Sequence, residues 1–185
     1  MKRLVLILVC LSLVFCFAGC DKKNTSSGKE SVDVEYFAKL GQIPECEYKL
    51  GTDASEILKD FEEKTKNPPS ADESFYYEEI ERGDYNGILS ADQSYYCKKS
   101  DKKKEVTHIV DYGTAYGFSI GAVSIEIKNA LADMGFETAE RDISDSEKQF
   151  VIASDNCTCL EYEFEKNTVV FVFADNALCA TILHK

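Results

Sequence analysis

Two heptapeptides decide how this chain is read: Gly51-Thr52-Asp53-Ala54-Ser55-Glu56-Ile57 and, 70 residues later, Gly121-Ala122-Val123-Ser124-Ile125-Glu126-Ile127. Each follows a short strand-like run, Cys46 to Leu50 in the first case and Tyr116 to Ile120 in the second. Each also opens a helix. Ala54, Ile57, Leu58 and Phe61 recur at i, i+3, i+4 and i+7 and make one apolar stripe, with Asp53 and Glu56 at capping-box spacing. In the second copy Val123, Ile127, Ala130, Leu131 and Met134 make the stripe. Ser124 is its one plausible cap, and Gly135 is placed to stop it.

Working outward, a strand-rich stretch follows each helix. The first runs from Glu73 to Phe118 and holds FYYEEI, a Gly/Asn turn over Arg82 to Gly87, SYYCKK, a charged SDKKK tip and VTHIV. The second holds QFVIAS, then LEYEF and TVVFVF around a hairpin signal at Lys166-Asn167. Leu160, Tyr162 and Phe164 alternate with Glu161 and Glu163, so one face of that strand is buried and the other wet. Ala177 to Leu183 closes the chain, where the repeat would place its pre-helix strand. The expected fold class is α+β: two tandem modules, 41–113 and 114–185, each a helix packed on an antiparallel sheet. A module of ~70 residues buries little alone, so the sheets are expected to join or the cores to be shared.

The N-terminus carries an address. Met1-Lys2-Arg3 is cationic, and Leu4 to Phe17 is apolar but for Ser12. Such a run is shorter than the ~20 residues a spanning helix needs and fits the core of a secretory signal. It ends in Phe17-Ala18-Gly19-Cys20, which resembles the bacterial lipobox, with Phe17 where leucine is usual. Residues 1–19 are therefore read as a lipoprotein signal peptide, with Cys20 the lipidated residue. Two acyl chains hold a protein stably on a bilayer, which places the chain, exported, on the outer face of the cytoplasmic membrane. Residues 20–40 are assigned to the lipidated cysteine and a flexible tether, because Asp21 to Ser31 has no apolar side chain to pack.

Charge and cysteines narrow the function. The full chain of 185 residues has formal charge −12. Without residues 1–19, which carry Lys2 and Arg3, it becomes −14. Nucleic-acid binding needs a basic patch and is not expected. Of eight cysteines, Cys46, Cys97, Cys157, Cys159 and Cys179 remain after the signal and Cys20 are set aside. Cys157 and Cys159 share a strand face at i and i+2, readable as half a soft-metal or redox site or as small apolar filling. The disulfide pairing stays open.

No cofactor motif is found, and no catalytic residue is assigned. Glu78-Glu79-Ile80-Glu81 reads as a solvated strand edge. Asp84-Tyr85-Asn86-Gly87 lacks the position-twelve glutamate of a calcium loop, where Tyr95 stands. His108 lies in a strand and His184 is penultimate. The candidate binding residues are aromatic: Tyr76, Tyr77 and Tyr96, the last expected on the outer sheet face opposite Tyr95. Exposed tyrosine offers an apolar body with a polar tip. The expected role is non-enzymatic recognition of an envelope protein or cell-wall component, and the alternative is an enzyme or thiol/metal redox site using Cys157 and Cys159.

The order of strand, Gly, Glu-Ile, helix and strands in both halves resembles the tandem modules of beta-lactamase-inhibitor-protein-like bacterial proteins. The resemblance covers about 140 residues and rests on topology and a loose Gly-x4-Glu motif. It implies a helical segment beginning near a glycine and packed on an antiparallel sheet. The inhibitor type's cysteine pairing within each repeat is missing here, so inhibition is not carried over. As a whole the chain also resembles uncharacterised lipoproteins of Gram-positive bacteria.

Overall fold

The computed structural model describes residues 32–70, 74–151 and 157–185. Mixed α+β in class, it is built on one eight-stranded sheet, antiparallel at every pairing. Its helices are α1 (Val34–Leu40), α2 (Ala54–Lys66), α3 (Ser124–Asp133) and α4 (Asp145–Lys148). Its strands are β1 (Tyr77–Arg82), β2 (Tyr85–Ser90), β3 (Gln93–Lys98), β4 (Val106–Asp111), β7 (Ala139–Asp142), β8 (Cys157–Phe164), β9 (Asn167–Ala174) and β10 (Ala177–His184). Two-residue strands β5 (Thr114–Ala115) and β6 (Phe118–Ser119) pair separately. The sheet order is β1-β2-β3-β4-β10-β9-β8-β7, so β4 and β10 meet in the middle, with His108 opposite His184.

Helices α1, α2 and α3 lie on one face. Asp53 caps α2 by accepting from the Ser55 amide at 2.8 Å, and α2 buries Ala54, Ile57 and Phe61. Phe61 packs on Tyr48, Tyr77 and Tyr95. In α3 the buried residues are Ile127 and Leu131, while Val123 and Met134 of the expected stripe are exposed. Ser124 is the first helical residue and not the cap; Val123 holds that place, without a side-chain hydrogen bond. These helices share one core with Tyr95, Ile109, Tyr162, Phe171 and Leu183 of the sheet.

The other sheet face is covered too. Ile143, Phe150 and Val151, on either side of α4, close over Tyr96, Val110, Val170, Val172 and Ile182. This is why β9 is buried without a break from Val169 to Phe173. Arg141 anchors the cover, donating to Glu147 at 2.7 Å and to Glu161 at 2.6 Å.

The same hydrogen bonds occur at two places. Gly51 N donates to Val106 O (2.8 Å), Val106 N to Thr52 O (2.8 Å) and Ala54 N to Lys104 O (3.0 Å). Likewise Gly121 N donates to Leu178 O (2.8 Å), Leu178 N to Ala122 O (2.8 Å) and Ser124 N to Asn176 O (3.2 Å). Gly51 and Gly121 both have φ of +88°, a conformation that only glycine adopts without strain.

Several elements differ from the sequence reading. Part of the segment assigned to the tether, residues 34–40, is helix α1, capped by Asp33 and burying Val34 and Ala38 against the core. Cys46 to Leu50 is a series of turns, not a strand. Half of the expected turn over Arg82 to Gly87, Tyr85 to Gly87, is strand β2, the chain reversing over Gly83 and Asp84. Gly87 hides this strand from a propensity reading. It is glycine because a Cβ there would lie 2.5 Å from the Tyr96 ring. Residues 149–151 of QFVIAS are not strand, and β7 had no recognisable pattern. The closing segment, β10, is an eight-residue strand paired with β4 and β9. Asn167 belongs to β9, where its amide donates to Ala38 O at 2.9 Å and ends α1.

Candidate functional site

The predicted site residues fall in different places. Cys20 lies outside the described residues. Tyr96 does face away from Tyr95, but it is only 1% exposed, packed against Phe150 at 4.8 Å between ring centroids. The expectation of an outward Tyr96 is corrected, because Phe150 follows α4 over that face. Tyr76, just ahead of β1, is 71% exposed. Tyr77 is half-buried against Phe61.

Cys157 and Cys159 do share a face, under the α4 cover. Burial, with Glu147 adding to it, pushes the Cys159 thiol up to about 12, and burial pushes Cys179 up to about 11. Thiolate chemistry is suppressed by such shifts. His108 stacks on His184 at 5.3 Å and packs on Phe150 at 4.6 Å. Burial, then His184 and Lys98, depress it to about 3. It is a neutral, packed histidine at the join of the two half-sheets. Among the described residues no group of three or more His, Cys, Asp or Glu side chains could hold a metal ion.

A cleft was not visible in the sequence. Helix α2 packs through Phe61 on Tyr77 of β1 and Tyr95 of β3. Between them opens a space of about 260 Å³, lined by Leu58, Ile88, Cys97, Glu79, Glu81 and Lys104, among others. Glu79 and Glu81 alternate with Ile80, so both carboxylates share the Tyr77 face of β1. In register they stand opposite Ile88 and Asn86. Lys99 pairs with Glu81 at 2.6 Å, and Cys97 closes the floor, its thiol raised chiefly by burial. The packed pair Phe61 and Tyr77 adjoins the Leu58 end. Glu79 and Glu81, still exposed on the edge strand as expected, thus form one wall of a groove that also has apolar Leu58 and Ile88 and the cation Lys104 in its lining. Only the packing of α2 over the sheet brings residue 58 to residue 79.

No family model matches the chain, and no curated protein sequence matches it. A solved structure similar to it is that of a DUF4309 family protein (YjgB) from Bacillus subtilis, with a TM-score of 0.45 and 13% sequence identity. The match covers 81% of this chain and 91% of that one.

Proposed function

We propose that the chain is a lipid-anchored envelope protein that recognises an envelope protein or a cell-wall component without chemically altering it. The observation that carries the reading is the groove beside α2, where apolar Leu58 and Ile88 meet the charged Glu79, Glu81 and Lys104. Concave apolar sites with a few convergent polar groups are the usual form of a binding site. Tyr76 and Tyr77 extend the contact surface at its end. The address comes from the signal run and Cys20. Burial of both Cys157 and Cys159, with the Cys159 thiol pushed up, speaks against the redox alternative in which they would react.

The proposed architecture is two tandem modules. The repeated hydrogen bonds at Gly51 and Gly121 support it, as does a sheet order that reads the same from either edge. With β2 counted, the two modules would align β4 with β10, one strand on from the sequence reading.

The experiment uses the chain from Lys22 onward, immobilised and exposed to solubilised envelope and to purified cell wall, with bound material identified by mass spectrometry. One stoichiometric partner, lost in Glu79→Lys and in Tyr76→Ala, is expected. Retention unchanged in both variants would move recognition away from this groove. No retained partner from a folded chain would overturn the reading.

A further inference from the structure

We infer that Ile120, Val123 and Ile125, at the start of α3, are where the folded body rests on the lipid bilayer. The inference rests on the reading of Cys20 as the lipid-bearing residue. The three side chains are 42%, 37% and 54% exposed within six consecutive residues.

The chain supplies its own comparison. The turn at Gly51 has the same backbone hydrogen bonds, yet its corresponding positions are Leu50, which is only 8% exposed, Asp53, which caps α2, and Ser55. At Gly121 the cap position is Val123, with no side-chain hydrogen bond. Giving up such a cap weakens the start of a helix. A solvent-facing helix start gains nothing in return, and clustered exposed apolar residues mark contact surfaces.

The occupant is indicated by where the tether leaves. Val32, the first described residue, lies 3.5 Å from a Cβ position on Gly117. Ile120 is three residues further on, at most ~10 Å of chain. The apolar tip is therefore at the same end of the body as Val32, where the described chain begins. A short tether gives the tip a high effective concentration at the surface. Glu126 and Asp175 flank it, so charge gives no attraction to anionic lipid. The contact is apolar and shallow, at the headgroup–acyl boundary.

The chain has no tryptophan, so a single Ile125→Trp reports on this tip alone. The mature chain carrying it, with Cys179→Ser, would be coupled through Cys20 to maleimide lipid in phosphatidylcholine/phosphatidylglycerol vesicles. Blue-shifted emission is expected, quenched by brominated acyl chains several-fold more strongly than in a Ser55→Trp control. Adding Val123→Asp should abolish the difference. Water-like emission from both probes would overturn the inference. So would a blue shift without bromine quenching, which would mean that a second copy or another protein covers the tip. Chemical coupling makes this result independent of the cell's own lipidation. The latter is checked by mass spectrometry of the protein from bacterial membranes, where an unmodified Cys20 would overturn the anchor alone.

Discussion

Asp111 stands buried on β4, at the centre of the sheet, accepting from the Gly113 amide at 2.9 Å and from the Cys46 thiol at 3.7 Å. Burial, reinforced by Asp92 and Glu45, raises it to about 6. Because its folded value lies above the ordinary 3.8, the fold favours the protonated acid. The stabilisation is full below pH 3.8 and is lost as pH rises through 6. Asp111→Asn, which imitates the neutral acid, should therefore stabilise the chain at pH 7.5 by about 2 kcal/mol. It should make little difference at pH 4, with urea denaturation at both pH values as the check. Glu147 has the opposite sign. Burial pushes it up, but Arg141 and Ser144 outweigh that and hold it at about 2. Its contribution is present above pH 4.5 and lost as pH falls through 2. Arg141→Met leaves that carboxylate buried without its partner and should cost on the order of 3 kcal/mol at pH 7 by the same assay. Tyr96→Ala should cost a similar ~3 kcal/mol by emptying the space beneath Phe150. Lost binding in that variant would report unfolding and not recognition. None of these three environments was legible in the sequence, since each depends on a neighbour more than five residues away.

Helix α2 was the most legible element. The Asp53 cap and the Ala54, Ile57 and Phe61 stripe stand as the spacing predicts, because capping and amphipathicity are local. The start of α3 departs from the pattern, and the two helices can be tested against one another. Asp53→Ala should lower stability by about 1 kcal/mol and Val123→Asp should raise it by a similar amount. Paired thermal melts of the two variants would check the signs. A Val123→Asp chain no more stable than the parent would show that α3 is held by packing alone. Strands were read less well. The hairpin between β8 and β9 was legible from its alternation, and β10 from its apolar run. Strand β2 was lost because Gly87 reads as a turn, though it is there to let Tyr96 cross it. Strand β7, reading Ala-Glu-Arg-Asp, has no apolar residue larger than Ala139. It pairs because Arg141 bridges Glu147 and Glu161.

Across the whole molecule, the join of β4 to β10 makes one sheet of eight strands, and one core on the helix face runs from Phe61 to Tyr162. Unfolding should be a single transition, coincident by far-ultraviolet circular dichroism and tyrosine fluorescence. A fragment ending at Gly113 would expose β4 as an unpaired apolar edge and should remain unfolded when expressed alone. An independently folded fragment, with its own cooperative melt, would contradict the shared core. By itself the sequence determined the mixed α+β class, the antiparallel sheet and both principal helices, along with the expectation of an exported, anchored chain. These are read from periodicity, caps and short motifs, which act over a few neighbouring residues. Tertiary structure alone decided that Tyr96 is covered, that Glu79 and Leu58 share a groove, and that Ile120, Val123 and Ile125 stay uncovered. Each outcome depends on which distant segment packs over a face, and the pattern within a strand or helix is the same whether or not a cover arrives.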